Sequence, residues 1–152
     1  MDRIALKKSV LEAARARLEE NTTDLRERIQ ELRAVTIGDD NAESASQTES
    51  THGSDVELLN SLVEQLEHLE QDIDRLEMIT PDQQLKTVQY GAIVLTDKRN
   101  FLIASSVEEF KVRGEDYLGV TPKAPLIQVM MGRKAGEKIT FNGTVYSIKD
   151  VF

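Results

Sequence analysis

Three carboxylates crowd one short run, Gly38-Asp39-Asp40-Asn41-Ala42-Glu43. Carboxylates are hard oxygen donors. They suit Mg²⁺, which keeps several waters and is held by one or two carboxylates together with a substrate phosphate. A pair such as Asp39 and Asp40 binds Mg²⁺ poorly alone. It is better suited to completing a site that already holds a metal, and so to two-metal phosphoryl chemistry on another molecule. Glu43 adds a third acid. The same run also suits a plain solvated turn, because Asp, Asn, Gly and Ser gather in turns for backbone reasons alone. Other chemistry is scarce. The chain has no cysteine, and its histidines are His52 and His68, so thiolate and multi-histidine metal sites are excluded. Both histidines read as surface residues. No Gly-rich phosphate loop or nucleophile elbow is present, so catalysis by this chain alone is not expected.

The elements that would position the acids are two long helical patterns. Ile4, Leu11, Leu18, Leu25 and Leu32 recur every seven residues, with Val10, Ala14 and Ile29 widening the stripe. This predicts a helix over 2–35 with one narrow apolar seam. Asn21-Thr22-Thr23-Asp24 is a place where it could bend, since these residues cap well and propagate poorly. Residues 36–53 read as a polar loop. Ser54 and Asp55 then offer an N-cap, with Glu57 placed for a capping box. Leu59, Leu62, Leu66, Leu69, Ile73 and Leu76 follow in a 3-4-3-4-3 heptad pattern, which predicts a second helix to about residue 79. Two such helices joined by a polar turn make an antiparallel hairpin over 1–80, with an acidic tip near 37–53. At about 1.5 Å per residue, some thirty residues put that tip roughly 45 Å from the base.

Pro81 stops the second helix, and the period changes to that of strands. Strands are expected at 87–95, 101–104, 110–112 and 117–120. Pro125 opens a short apolar helix that ends before Gly132. The last two strands, 138–141 and 144–148, bracket Asn142-Gly143, a strong hairpin signal. Residues 86–152 therefore read as a small, mostly antiparallel sheet domain with one short helix, and the chain as α+β.

Charge divides the same way. Residues 1–80 carry nine Lys/Arg and nineteen Asp/Glu, a net of −10; residues 81–152 carry ten and eight, a net of +2. The acidic half is not built to hold a nucleic-acid backbone, which needs Lys and Arg. It could enter a basic cavity on a partner, or simply stay solvated. No apolar run is long enough to span a bilayer, and residues 1–8 lack a signal-peptide core. A soluble cytoplasmic monomer is expected.

One run resembles a known family. Lys123-Ala124-Pro125-Leu126-Ile127-Gln128-Val129-Met130-Met131-Gly132-Arg133-Lys134-Ala135-Gly136-Glu137 is similar to the C-terminal domain of the bacterial Gre transcript-cleavage factors. Those carry Ser-Pro-Ile, a short apolar helix, then Gly-Lys/Arg, two variable residues, Gly and an acid. Tyr117-Leu118-Gly119-Val120-Thr121 and Tyr90-Gly91-Ala92-Ile93-Val94 are similar to strands of the same domain. The resemblance implies a coiled-coil hairpin followed by an FKBP-like domain. It implies a transcription elongation factor that is no enzyme itself. Its sheet domain docks at the rim of the secondary channel of RNA polymerase, through Lys123, Ala124 and Pro125. Its hairpin enters the channel, close to the nascent RNA. Asp39, Asp40 and Glu43 then act as tip acids that help the polymerase hold a second Mg²⁺ and cleave backtracked RNA.

The family tip reads Gly-Asp-Leu-x-Glu-Asn-Ala-Glu. Here the run is two residues shorter, Asp40 stands for the glutamate, and Ala124 stands for the docking serine. Three alternatives remain open at this point: a channel-binding regulator that does not cleave, a coiled-coil adaptor unrelated to polymerase, and an FKBP-like prolyl isomerase. The last is disfavoured by the four Phe, three Tyr and no Trp available to line a proline pocket.

Overall fold

The structure, a computed structural model, describes residues 2–38 and 45–152, and for 36–38 and 45–52 the backbone alone. Two long helices come first, α1 (Arg3–Gly38) and α2 (Ala45–Glu77). A sheet with one short helix follows: β1 (Ile93–Thr96), β2 (Asn100–Ile103), β3 (Val107–Val112), β4 (Glu115–Val120), α3 (Pro125–Met130), β5 (Lys138–Phe141) and β6 (Thr144–Val151). The chain is therefore α+β. It divides into two compact units. One is Met1–Leu18 with Ile73–Phe152, and the other is Glu19–Asp72.

Both helices run further than their local signals suggest. α1 passes unbroken through Asn21-Thr22-Thr23-Asp24. Thr22 is buried there, so packing outweighs its weak helix propensity. α2 begins at Ala45, not at the cap signal of Ser54 and Asp55, which lie inside it. Extending an existing helix costs far less than starting one.

In the Glu19–Asp72 unit, Leu25, Ile29 and Leu62 form a small core, flanked by Leu32, Leu59, Val63, Leu66 and Leu69. Arg26 donates to Glu70 at 2.9 Å. Leu32 and Val35, later in α1, line a groove with Leu58 and Leu62, earlier in α2. The seam leucines of the two heptad patterns thus meet one another.

In the other unit the strand order is β3-β4-β2-β1-β6-β5. Every pairing is antiparallel except β2 with β4, which is parallel. Two tight turns need left-handed backbone: Arg113-Gly114 (φ 52° and 83°) and Asn142-Gly143 (φ 48° and 76°). Positive φ at both central residues is the hairpin geometry that matches strand twist. Thr96 closes the β1–β2 turn, its Oγ1 accepting from Lys98 and Arg99 N–H at 3.1 and 2.9 Å. Asp97 fastens that turn to β6 by accepting from Ser147 N–H at 2.8 Å, which holds its carboxyl below the usual carboxylate range. Gly119 has no room for a side chain. A Cβ there would stand 2.6 Å from Val107 Cβ.

The sheet is buried on both faces. Register places Val94 beside Phe101 and Val151, and Phe101 beside Leu118. That face packs with Val88, Ile127, Met130 and Ile148 into the main core, under α3. The opposite face carries Ile93, Leu102, Phe110 and Tyr117, also buried. The rings of Phe110 and Tyr117 stack with centroids 6.0 Å apart. Burial pushes the Tyr117 phenol above its ordinary value.

The cover on this second face is the start of α1. Leu6, Val10, Leu11, Ala14 and Leu18 are buried along one side of it. Arg3 pairs with Asp150 of β6 at 2.9 Å, and Arg17 pairs with Glu108 of β3 at 2.7 Å. Fourteen residues of helix rise about 21 Å. From β6 to β3 there are four strand spacings, roughly 19 Å in all. The helix therefore runs across the strands from β6 to β3.

Lys7 lies in the same covered stripe and is fully buried, donating to the Gln83 carbonyl at 3.0 Å. Burial holds its ammonium below the usual lysine range. Between the folded and unfolded pKa values, the unfolded chain binds more protons, so stability rises with pH there. The cost of the buried charge is present in full below the folded value. Denaturant unfolding of wild type and Lys7→Met from neutral pH to pH 10 checks this. Wild type is expected to gain on the variant as pH rises. A flat difference contradicts a depressed Lys7.

Candidate docking surface around α3

Asp39, Asp40 and Glu43 lie outside the described residues, as does the side chain of His52. His68 is exposed on α2. Lys123, Ala124 and Pro125 are described, and they lead into α3.

Proline suits this place because the first helical residue needs no N–H partner and its fixed φ is already helical. Ala124 sits at the cap with φ −58° and ψ 133°. It makes no side-chain cap bond, as expected of an alanine. Its N–H donates to the Thr121 carbonyl at 3.1 Å, and its carbonyl accepts from Gln128 N–H at 2.9 Å. Lys123 and Pro125 are exposed, while Ala124 is half-buried.

α3 is two-sided. Ile127 and Met130, three residues apart, are both fully buried in the main core. Val129 and the following Met131 face outward, 40% and 41% exposed. With Pro125 they give this short helix an outward apolar side. Lys123 precedes it in the chain, and Arg133 and Lys134 follow it.

The loop after α3 is held by its own residues. Gly132 and Gly136 take φ of 80° and 93°, which glycine adopts without strain. Gly132 N–H donates to the Val88 carbonyl at 2.8 Å, and Gly136 N–H to the Ile148 carbonyl at 2.8 Å. The Glu137 carboxylate accepts from Lys134 N–H at 2.5 Å and lies 3.6 Å from the Arg133 guanidinium. Glycine, glycine and acid in this motif therefore shape the loop. Pro125 opens the helix, whereas the outward side chains Val129 and Met131 have no comparable internal task.

Sequence reasoning singled out Lys123, Ala124 and Pro125 and passed over Val129 and Met131. The 127/130 spacing was the available signal, since two inward positions on so short a helix leave the others outward. Among the described residues, no group of three or more His, Asp or Glu is placed to hold a metal. None of the described helices is long and apolar enough to cross a membrane. No protein-family model matches the chain, and no curated protein matches it either.

The inward and outward sides of α3 should separate in a stability measurement. Ile127→Ala removes buried methylenes and is expected to cost about 3 kcal/mol. Val129→Glu alters an exposed position and is expected to cost under about 1 kcal/mol. Equilibrium denaturation of both variants checks the assignment. A Val129→Glu loss as large as that of Ile127→Ala contradicts it.

Proposed function

We propose that this chain is a Gre-like accessory factor of bacterial RNA polymerase, acting in the cytoplasm as a transcription elongation factor. The observation that carries the reading is residues 117–137. They form one continuous piece, β4 into α3 into a glycine-held loop, which leaves an outward apolar side flanked in sequence by Lys123, Arg133 and Lys134. This is the run whose residues resemble the family. In this reading the sheet unit is the FKBP-like domain, and Pro125, Val129 and Met131 meet an apolar surface on the polymerase, with acidic groups opposite the cations.

The seam contacts between α1 and α2 support reading them as the coiled-coil hairpin. Its surface is acidic, with Arg75 the one Lys or Arg in residues 39–80. Such a surface is drawn to a basic channel. Asp39, Asp40 and Glu43 would then supply carboxylate oxygens near the polymerase active centre. A second Mg²⁺ there stabilises the attacking and leaving oxygens of phosphodiester hydrolysis. The chain itself contributes negative charge and placement, and the polymerase does the cutting.

A second reading shares the docking and omits cleavage. It is favoured by the acid run, which is two residues shorter than the family pattern and carries Asp40 in place of glutamate. A cleavage assay separates the two. Backtracked RNA polymerase is mixed with the protein and Mg²⁺, and 3′ RNA fragments are followed. Fragments are expected with wild type, and Asp39→Asn with Asp40→Asn is expected to slow their release at least tenfold. Binding without fragments would establish the regulator reading. Absence of binding would sink both.

A further inference from the structure

We propose that Lys7 is a register pin, fixing where α1 sits along the face of the sheet it covers. The inference is independent of any polymerase role. The covering stripe repeats at a spacing of four, Leu6, Val10, Ala14 and Leu18, all buried. A slide of one helical turn, about 5.4 Å, would carry each of these positions onto the next. Apolar burial is non-directional, so it distinguishes such registers weakly.

The charged contacts at the two ends of the stripe are open to water. Arg17–Glu108 joins side chains exposed by 39% and 70%, and such a pair contributes little. Arg3 holds Asp150 with two bonds, at 3.0 and 2.9 Å, and is the firmer of the two, but its own side chain is 52% exposed and water can replace its partner. Lys7 differs from all of these. It is fully buried, and its ammonium reaches the Gln83 carbonyl at 3.0 Å. That carbonyl belongs to the irregular segment between α2 and β1, so the bond joins α1 to the chain entering the sheet. One turn away, the ammonium would lose this acceptor while still under the helix, and an unpaired buried charge is costly. Polar groups buried for register rather than for net stability are known from helix packing.

The test is Lys7→Met in the full chain, which nearly keeps the volume of the side chain, is one atom shorter and removes the ammonium. The expected result is a cooperative unfolding transition at a denaturant midpoint equal to or above that of wild type. With it, amide exchange across residues 83–88 should quicken at least tenfold, and the NMR signals of Ile93 and Leu102 should double or broaden. A single sharp set of signals with unchanged exchange would overturn the proposal. So would failure of Lys7→Met to fold, because the pin is assigned the register and the apolar stripe the stability.

Discussion

A sheet with apolar side chains on both faces needs two covers, and the rest of its unit depends on where the second comes from. The six residues of α3 span about 9 Å of helix, enough to seat Ile127 and Met130 on one face. The start of α1 covers the other. Met1–Leu18 therefore belongs to the same compact unit as the strands, although some seventy residues separate them in sequence. Ile93, Leu102 and Tyr117 are buried on the face whose two flanks, β6 and β3, are joined to α1 by Arg3–Asp150 and Arg17–Glu108.

This explains the two kinds of apolar pattern along one continuous helix. From Leu25 onward, α1 packs on α2, and a narrow seam of Leu25, Ile29 and Leu32 is enough. Before Leu18 it meets two surfaces: the sheet, through Arg3–Asp150 and Arg17–Glu108, and the end of α2, where Arg15 pairs with Glu77 at 2.7 Å and Leu11 lines a groove with Leu76, Ile79 and Pro81. The buried set there widens to Leu6, Lys7, Val10, Leu11, Ala14 and Leu18, while Ile4 of the heptad pattern is 47% exposed. The heptad spacing is readable from sequence, but the change of partner is not, because it depends on a sheet assembled later. Lys7 was illegible for the same reason. A lysine beside Lys8 reads as solvent-facing until the surface it meets is known.

The strands were largely legible, since turn chemistry is local. Asn142-Gly143 and Arg113-Gly114 adopt the positive φ that hairpins require. Strand order is not local, so the parallel pairing of β2 with β4 had no signal in either segment. The loop expected over 36–53 proved helical on both sides, at 36–38 and 45–53. Around α3 the lesson is chemical. The residues that make the run recognisable, Gly132, Gly136 and Glu137, hold a loop in place. The groups available to a partner are the less distinctive Pro125, Val129 and Met131. A motif of this kind therefore marks the architecture more securely than the activity, and the activity must be tested at the exposed side.

The most direct measurement of the account is equilibrium binding of the full chain to purified bacterial core RNA polymerase, with wild type, Val129→Glu, and Asp39→Asn with Asp40→Asn compared. Wild type and the tip variant are expected to bind alike if the acids act only after docking. Val129→Glu, still folded, is expected to bind at least tenfold more weakly. Full binding by Val129→Glu, or none by wild type, would contradict the outward side of α3 as the docking surface.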